Sequence, residues 1–411
     1  MPFFDLDRRE FLQATLAAGA ASSLVSYPAF TQSRAEVLVL VQELGPNSLD
    51  MQGVGSNQTV NGFAWNCYDR LMTYAPKTLP DGTVSYDRKA LAPELAESWQ
   101  IASDGMSCTF NLRKDATFHD GTPVTAKDVK WSFDRAVSVG GFPTFQMSAG
   151  SLEKPDQFVV VDDHTFRVDF IRKDKMLMFN LAVVVPFVIN SALAKKNATE
   201  ADPWAMNWLR SNEAGGGAYR VESWRPGSET ILVRFDNWKT GPLPKIRRVI
   251  ARDVPSPGTR RAMLERGDAD ISTGFPPKDF DQMIKEGKLK IVGVPIPNAL
   301  WYVALNTSRP PFDNVQLRQA IAWAMPYEQI QSSAFFGRAK PMYGGGATVE
   351  QAAWPQPFPY RTDLDKAKAL MQEVPIVPLN QPIHDIAMQK AVGGYEFWFH
   401  REPDFRQFSK A

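Results

Sequence analysis

The sequence contains few of the residues that most often mark a catalytic or metal site. Its 411 residues include two cysteines and four histidines, and no cysteine pair has the short spacing of a zinc site. Lys and Arg total 46 against 45 Asp and Glu, which gives a net charge of +1. Because no global field draws such a chain to polyanions, we expect no nucleic-acid partner and no attraction to anionic lipid.

Long apolar segments are also missing after the N-terminus. The only other long apolar run, residues 181–189, contains Pro186 and is far shorter than the ~20 residues that a membrane-spanning helix needs. Hydrophobic residues make up 44% and charged residues 22% of the chain, as in a globular protein with a large core. The 47 aromatic residues (11 Trp, 10 Tyr and 26 Phe) suit both core packing and the walls of a ligand site.

The N-terminal segment has the pattern of an export signal. Arg8 and Arg9 stand directly before an apolar stretch, residues 12–25, that is rich in alanine and too short to span a bilayer comfortably. This pattern is typical of a bacterial twin-arginine signal peptide. The alternative, an amphipathic N-terminal helix, is disfavoured by the small residues of the stretch. We predict that residues 1–35 are the signal, with cleavage near Ala35 or at Thr31, and that the mature protein is periplasmic.

The two cysteines allow two interpretations. In an oxidising compartment, Cys67 and Cys108 could form a disulfide bridge. Cys67 lies in a predicted helix and Cys108 in a predicted strand, and buried free thiols are common in such positions. We favour two free, buried thiols.

Helical and strand patterns alternate along the chain. Residues 37–41 form one predicted strand, and 158–161 and 165–170 form a predicted hairpin. Thr125 and Asp128 make a capping box before a helix, and a second helix starts at Ser256-Pro257 and stops at Gly267. This mixture predicts an α/β or α+β fold with several layers.

No catalytic arrangement is visible in the sequence. His119 precedes an Asp-Gly turn and is better explained as a turn-lining imidazole than as a general base. The glycine runs at 215–217 and 344–346 lack the Lys-Ser/Thr of a phosphate loop. Acidic pairs such as Asp268 and Asp270 are usually solvated turns. We therefore predict no catalytic residue, no metal and no cofactor, and we disfavour a periplasmic hydrolase.

Three adjacent motifs carry a resemblance to a known family. They are LAPELAESW at 91–99, DGMSCTFNLR at 104–113 and FHDGTPVTAKDV at 118–129, and similar matches follow in order at 217–227, 263–271 and 304–321. Together they resemble the peptide/nickel-type (family five) extracellular solute-binding proteins of ABC importers. The resemblance covers residues 36–411.

The resemblance implies a two-lobed, type II periplasmic-binding-protein-like α/β fold that closes by a hinge on a ligand. Residues 36–252 would form most of lobe I, and the chain would cross near 252–254 into lobe II, residues 253–373. Residues 374–411 would return to lobe I.

One departure from the family pattern concerns lobe II. The helix pattern at 365–371 runs through Gln372 and Glu373 directly into Val374, where the family has a substantial α/β stretch. We therefore expect an incomplete second lobe. A deletion, a natural truncation and a gene-model error would each produce this junction.

The family's ligand contacts can be carried over residue by residue. The resemblance implies contacts from the segment after the first strand in lobe I and from two strand segments in lobe II. These residues are Asn57, Gln58, Asn61, Thr273, Gly274, Phe275, Trp301 and Tyr302. An ordinary capped surface loop explains the first group equally well. Trp301 and Tyr302 are adjacent on a strand, so only one of them can face the cleft.

Two functions fit these observations. The first is an exported receptor, monomeric and without a cofactor, that captures a small solute, a peptide or a related compound, for an inner-membrane ABC permease. The alternative is a truncated relic of the family without transport activity. The acidic group that several peptide-binding members use would fall in the missing stretch, so peptide specificity cannot be carried over.

Overall fold

A mixed β-sheet organises the part of the chain that the computed structural model describes, namely residues 33–296, 299–340, 360–369, 376–397 and 402–410. The strands are β1 (Val37–Gln42), β2 (Met72–Thr78), β3 (Val84–Pro93), β4 (Ala96–Ile101), β5 (Ser107–Leu112), β6 (Phe158–Asp162), β7 (Thr165–Asp169), β8 (Tyr219–Arg225), β9 (Glu229–Arg234), β10 (Arg248–Asp253), β11 (Ile271–Thr273), β12 (Lys290–Pro295), β13 (Trp301–Ala304), β14 (Ala339–Lys340), β15 (Ile376–Met388), β16 (Val392–Gly393) and β17 (Ser409–Lys410).

Helices connect these strands. They are α1 (Thr59–Cys67), α2 (Ala126–Ser138), α3 (Gly141–Ala149), α4 (Leu177–Asn180), α5 (Ser191–Lys196), α6 (Met206–Leu209), α7 (Pro257–Arg266), α8 (Pro277–Glu286), α9 (Val315–Ala324), α10 (Tyr327–Gln329) and α11 (Leu364–Ala369). Short 3₁₀ turns lie at Arg34–Glu36 and Pro155–Gln157, and a π-helical turn lies at Ile330–Ala334. None of the helices within the described ranges is both long and apolar enough to cross a bilayer.

The central strand of the large sheet is β1. The strand order is β12-β15-β11-β1-β10-β9-β8, and β13 and β14 also pair with β15. Both neighbours of β1 run parallel to it, and β1 is apolar along most of its length because both of its faces are covered. Leu38 and Leu40 face one hydrophobic core, whereas Val39 and Val41 face a second, smaller core.

A four-stranded sheet, β4-β5-β7-β6, and the hairpin β2-β3 lie on the side of the larger core. Helix α2 packs on the four-stranded sheet through Phe133, whose ring centroid lies 5.3 Å from that of Phe158 and 5.6 Å from that of Phe166. The predicted hairpin of β6 and β7 is confirmed. These aromatic contacts fix the orientation of the helix on the sheet.

The predicted local signals are present in the structure. Thr125 and Asp128 form the capping box of α2, and the Ser256 hydroxyl accepts a hydrogen bond from the Thr259 amide at the start of α7. Gly267 ends α7 with a φ of +80°, a conformation that favours glycine. Cys67 and Cys108 are both buried and free, as the sequence analysis favoured.

The long strand β15 joins two groups of strands. Its first residues pair with β13 and β14, and its last residues pair with β11 and β12. Strands β11 and β12 follow the predicted crossing at 252–254 and still belong to the sheet of β1, because α7 returns the chain beside β1. The large sheet therefore extends beyond the predicted lobe boundary. The junction of Glu373 and Val374, and residues 1–32 of the predicted signal, lie outside the described residues.

Candidate ligand-binding site

Two of the segments predicted to contact ligand lie at the same edge of the large sheet. Strands β10 and β11 both pair in parallel with β1. The loop after β1 carries Asn57 and Gln58, and the loop after β11 carries Gly274. Ligands of open α/β sheets commonly bind at such an edge. The topology therefore brings together loops that are more than 200 residues apart in sequence.

The polar residues of the loop after β1 are mostly used within the loop itself. The Asn57 side chain donates to the Gly45 carbonyl at 2.8 Å and accepts from the Asn47 amide at 3.3 Å. Gln58 is exposed directly before α1 and forms no cap. Asn57 is therefore a loop-stabilising residue in this structure, whereas Gln58 is open to solvent.

Arg260 ties together the loops after β10 and β11. Its guanidinium donates to the carbonyls of Val254 at 2.7 Å and Gly274 at 3.0 Å. Phe275 is 6% exposed and packs against Phe280 in the smaller core. The structure therefore places Phe275 in the core, and Thr273 precedes it as the last residue of β11.

Trp301 and Tyr302 lie on β13, far along the chain from the other predicted contacts. They are 56% and 54% exposed, and the Trp301 ring meets the Phe335 ring edge-on at 5.7 Å. A register shift separates the two residues in their pairing with β15. Neither residue lines one of the described cavities discussed below.

A cavity of about 530 Å³ lies between the β2-β3 hairpin, the start of α1 and helices α3 and α4. Its volume is within the range of small-molecule sites. Among the predicted contacts it contains Asn61. The lining residues are Asn61, Tyr74, Tyr86, Arg88, Phe142, Gln146, Met176, Phe179, Val183 and Val184.

Aromatic rings form a continuous wall of this cavity. The Tyr74 centroid lies 5.4 Å from that of Tyr86 and 6.1 Å from that of Phe179, onto which it stacks. Tyr86 stacks in turn on Phe397 at 6.4 Å. The Phe397 amide donates to the Val84 carbonyl at 2.9 Å, so the C-terminal part of the chain holds β3 and its tyrosine in place.

Polar groups occupy a few positions in the cavity. The Asn61 Oδ1 atom is buried and accepts no hydrogen bond from the described residues. Gln146 Nε2 donates to Asn180 Oδ1 at 2.6 Å. Burial raises the pKa of Tyr74 to about 12, although the Arg88 charge lowers it, so the phenol remains protonated at neutral pH.

A buried ion network joins the segment after α1 to the C-terminal residues. Arg70 donates to Glu94 at 2.6 Å, and Arg406 contacts Glu94 at 3.3 Å and Asp404 at 2.6 Å. The Arg70 guanidinium also lies 3.6 Å from the Trp65 ring centroid. These contacts anchor the C-terminal residues on the Arg70–Glu94 pair, which is a structural role.

The glycine run at 215–217 has a packing role. A Cβ atom at Gly215 would lie 1.9 Å from the Cys67 carbonyl oxygen, and one at Gly217 would lie 2.6 Å from the Tyr68 amide nitrogen. His119 fixes the same region, because its Nδ1 contacts Glu213 at 2.7 Å and its Nε2 contacts the Gly217 carbonyl at 2.9 Å. Both nitrogens face acceptors, so this imidazole is a structural donor.

Most residues of the cavity were missed by the sequence analysis. Tyr74 and Tyr86 lie on strands without a clean alternation of apolar and polar residues, and Val183 and Val184 were noted only as part of the apolar run at 181–189. The available signal was the pair of glycines at 140–141 before a segment with exposed phenylalanines. Exposed aromatic residues beside a turn indicate a binding surface more often than a core.

The family comparison identifies one match. Residues 90–381 match the family model described as bacterial extracellular solute-binding proteins, family 5 Middle. The chain is 29% identical to the probable D,D-dipeptide-binding periplasmic protein DdpA of Escherichia coli K12 over 84% of its own length and 63% of DdpA. It is 28% identical to the glutathione-binding protein GsiB of Pectobacterium atrosepticum over 87% of its length and 64% of GsiB. The chain therefore spans less than two thirds of these relatives.

Solved structures give the same fold. The dipeptide-binding protein of Pseudoalteromonas sp. SM9913, in complex with Met-Leu, matches with a TM-score of 0.74 at 17% identity. The match covers 91% of this chain and all of the other chain, 100%. The likeness confirms the predicted two-lobed, type II α/β fold.

Proposed function

Because the chain belongs to the bacterial extracellular solute-binding proteins of family 5, we propose that it captures a peptide or a related small solute in the periplasm and delivers it to an inner-membrane ABC permease. The observation that carries this proposal is the aromatic-walled cavity of about 530 Å³. Such a cavity offers apolar contact to side chains and a few polar groups to orient a ligand. One relative is named as a probable D,D-dipeptide-binding protein and another as a glutathione-binding protein, and these names support a peptide-like solute.

Hinge closure is the proposed means of capture. We propose that lobe I contains the strands β1 to β12 and that lobe II contains β13, β14 and helices α9 to α11. The pairing of β15 with strands of both groups supports this division, since one continuous strand then links them. The boundary in this proposal lies after β12, whereas the resemblance implied a boundary near residue 252.

Export through the twin-arginine pathway is part of the proposal. Replacing Arg8 and Arg9 together with lysine should leave the precursor in the cytoplasm, because that pathway recognises the arginine pair as an address. Fractionation and immunoblotting of cells that express the full chain measure this. Periplasmic accumulation of the Lys-Lys variant at the level of the unaltered chain would contradict the export mechanism.

Ligand binding is tested by the thermal stability of the purified protein. A ligand at a hundredfold excess over Kd stabilises the folded state by about 2.7 kcal/mol, so di- to pentapeptide mixtures should raise the melting temperature. Met176 is 59% exposed at the cavity, and Met176→Trp should reduce the shift without a core penalty. Leu243→Trp is the matched control, because Leu243 is also exposed and lines none of these cavities.

Two results would contradict the proposed function. The first is the absence of a shift with any peptide mixture, which is also what a relic without transport activity would give. The second is an equal shift in the Met176→Trp and Leu243→Trp variants, which would locate binding elsewhere. Nothing in the comparisons favours the relic hypothesis, and we do not propose it.

A further inference from the structure

Arg88 has an unusual position on its strand. Tyr74 pairs with Leu91, whereas the next residue of β2, Ala75, pairs with Asp87. Residues 88–90 therefore form a bulge with no partner on β2. Bulges beside functional sites redirect side chains, and here Arg88 lines the cavity of Tyr74 and Tyr86.

The Arg88 guanidinium has no ion-pair partner among the described residues. No salt bridge and no side-chain hydrogen bond reaches its guanidinium from the described residues. Guanidinium groups bind carboxylates through paired, charge-assisted hydrogen bonds. An exposed, unpaired arginine at the mouth of a cavity can therefore receive an anionic group of a ligand.

Asn61 supplies the complementary polar group inside the cavity. Its Oδ1 is buried without a hydrogen bond from the described residues, which costs free energy unless a ligand donor reaches it. A carbonyl-type oxygen accepts from an N–H group. An amide N–H of a ligand is the chemistry that satisfies this atom.

None of the described residues that line the cavity carries a carboxylate. An adjoining cavity of about 350 Å³ shares Tyr86 and Arg88 and adds Lys77 and Lys89, with Asp87 as its acidic residue. Asp87 Oδ1 already accepts from the Lys89 amide at 2.9 Å. The described linings of the two cavities thus carry three cationic side chains and one carboxylate, that of Asp87, which is only half-buried.

The rim of the cavity is apolar. Phe142 is 50% exposed and Met176 is 59% exposed, and both line the cavity. Val54 lies beside Gly141, the residue before Phe142, since a Cβ on Gly141 would contact its side chain at 3.3 Å. An apolar group on the ligand would cover this rim and gain hydrophobic stabilisation.

We infer that the ligand is an organic anion that carries an amide N–H and an apolar group and that needs no free amino group. The inference rests on the proposed function and names its substrate class: amino-terminally blocked, carboxylate-bearing peptides or similar amides. Arg88 binds the carboxylate, Asn61 accepts from the amide N–H, and the tyrosine wall covers the apolar group.

The test compares three probes with the purified full chain by isothermal titration calorimetry. They are N-acetyl-Phe-Leu with a free carboxylate, the same compound as its C-terminal amide, and Phe-Leu with a free amino group. N-acetyl-Phe-Leu should bind about 10- to 100-fold more tightly than its amide, the range that a charge-assisted hydrogen bond supports. Free Phe-Leu should bind no more tightly than the acetylated form.

Variants assign the effect to residues. Arg88→Gln should abolish the preference for the carboxylate and leave the affinity for the C-terminal amide unchanged. Asn61→Ala should weaken the acid and the amide equally, by about tenfold, because both contain the N–H that it receives. Arg220→Gln is the matched control, since Arg220 is also an exposed arginine on a strand, β8, and lines none of these cavities.

The outcomes separate the two proposals. Free Phe-Leu binding at least tenfold more tightly than its acetylated form would overturn the inferred substrate class and leave the proposed function standing. Equal binding of the acid and the amide would overturn the role of Arg88. Absence of binding by all three probes, together with no thermal shift in peptide mixtures, would contradict the proposed function itself.

Discussion

Stability should fall as the pH rises above about 6.5, because the structure holds His119 as an imidazolium. The Nδ1 atom lies 2.7 Å from a Glu213 carboxylate oxygen and the Nε2 atom 2.9 Å from the Gly217 carbonyl. A carbonyl and an ionised Glu213 carboxylate can only accept, so both ring nitrogens donate to them, and only the charged imidazole has two N–H groups. Burial lowers the pKa of His119, but the Glu213 charge and the two hydrogen bonds outweigh it and raise the pKa above 6.5 overall.

The sign and size of the effect follow from proton linkage. The folded state binds the His119 proton more tightly than the unfolded state, so this stabilisation is complete below pH 6.5 and is lost as the pH rises through the folded-state pKa. Glu213→Gln keeps the shape of the side chain and removes its charge. Each unit by which this change lowers the His119 pKa should appear as about 1.4 kcal/mol of pH-dependent difference in unfolding free energy.

The assay is urea unfolding of the full chain from about pH 5.5 to 9. We expect Glu213→Gln to lose about 1.5–3 kcal/mol near pH 5.5, the range for a hydrogen bond to a charged group, and to converge toward the unaltered chain at high pH. The pKa of Glu402 lies in the same pH range. To remove its contribution, Glu402→Gln should be present both in the Glu213→Gln variant and in the protein with which it is compared. Parallel curves across the whole pH range would refute the imidazolium assignment.

Two further predictions concern stability. Burial raises the pKa of Glu402 from 4.5 to about 8, so its ionisation destabilises the fold as the pH rises between these values. Glu402→Gln should therefore flatten the pH profile and raise the urea midpoint at pH 9, and an unchanged profile would contradict the shifted pKa. Gly215→Ala should destabilise the protein by more than about 3 kcal/mol, because its Cβ would collide with the Cys67 carbonyl, whereas Gly258→Ala in α7 should be neutral or stabilising by up to about 1 kcal/mol. Equal urea midpoints for the two alanine variants would show that the glycine run is not packed as described.

Local sequence signals predicted the secondary structure where a few neighbouring residues decide it. Thr125 and Asp128 cap α2 by contacts across three residues, and Gly267 ends α7 through its own backbone conformation. The apolar run at 37–41 predicted the strand β1 for the same reason. Such signals do not state which strand lies beside which.

The pairing of strands that are distant in sequence could not be predicted from local patterns. Strand β11 returns beside β1 after α7, so the chain stays in the first sheet past residue 252. Phe275 follows a strand at the sheet edge where ligands of open α/β sheets commonly bind, and its sequence position fits a cleft wall as well as a core. Phe280 of α8 packs against the Phe275 ring, and this contact places Phe275 in the core.

The candidate site is assembled from distant parts of the chain. Asn61 lies at the start of a helix, Tyr74 and Tyr86 on a hairpin, and Phe179 on a short helix more than 90 residues later. The family resemblance identified the segment of Asn61 but not the aromatic wall. The residue pattern within one segment cannot indicate a cavity that is enclosed by several segments together.

The most direct test of the account is a crystal structure of the full chain grown with N-acetyl-Phe-Leu. The account predicts ligand density in the cavity lined by Tyr74, Tyr86 and Phe179, with the carboxylate at Arg88 and an amide N–H within hydrogen-bond distance of Asn61 Oδ1. Ligand bound at another place on the protein, with this cavity empty, would contradict it.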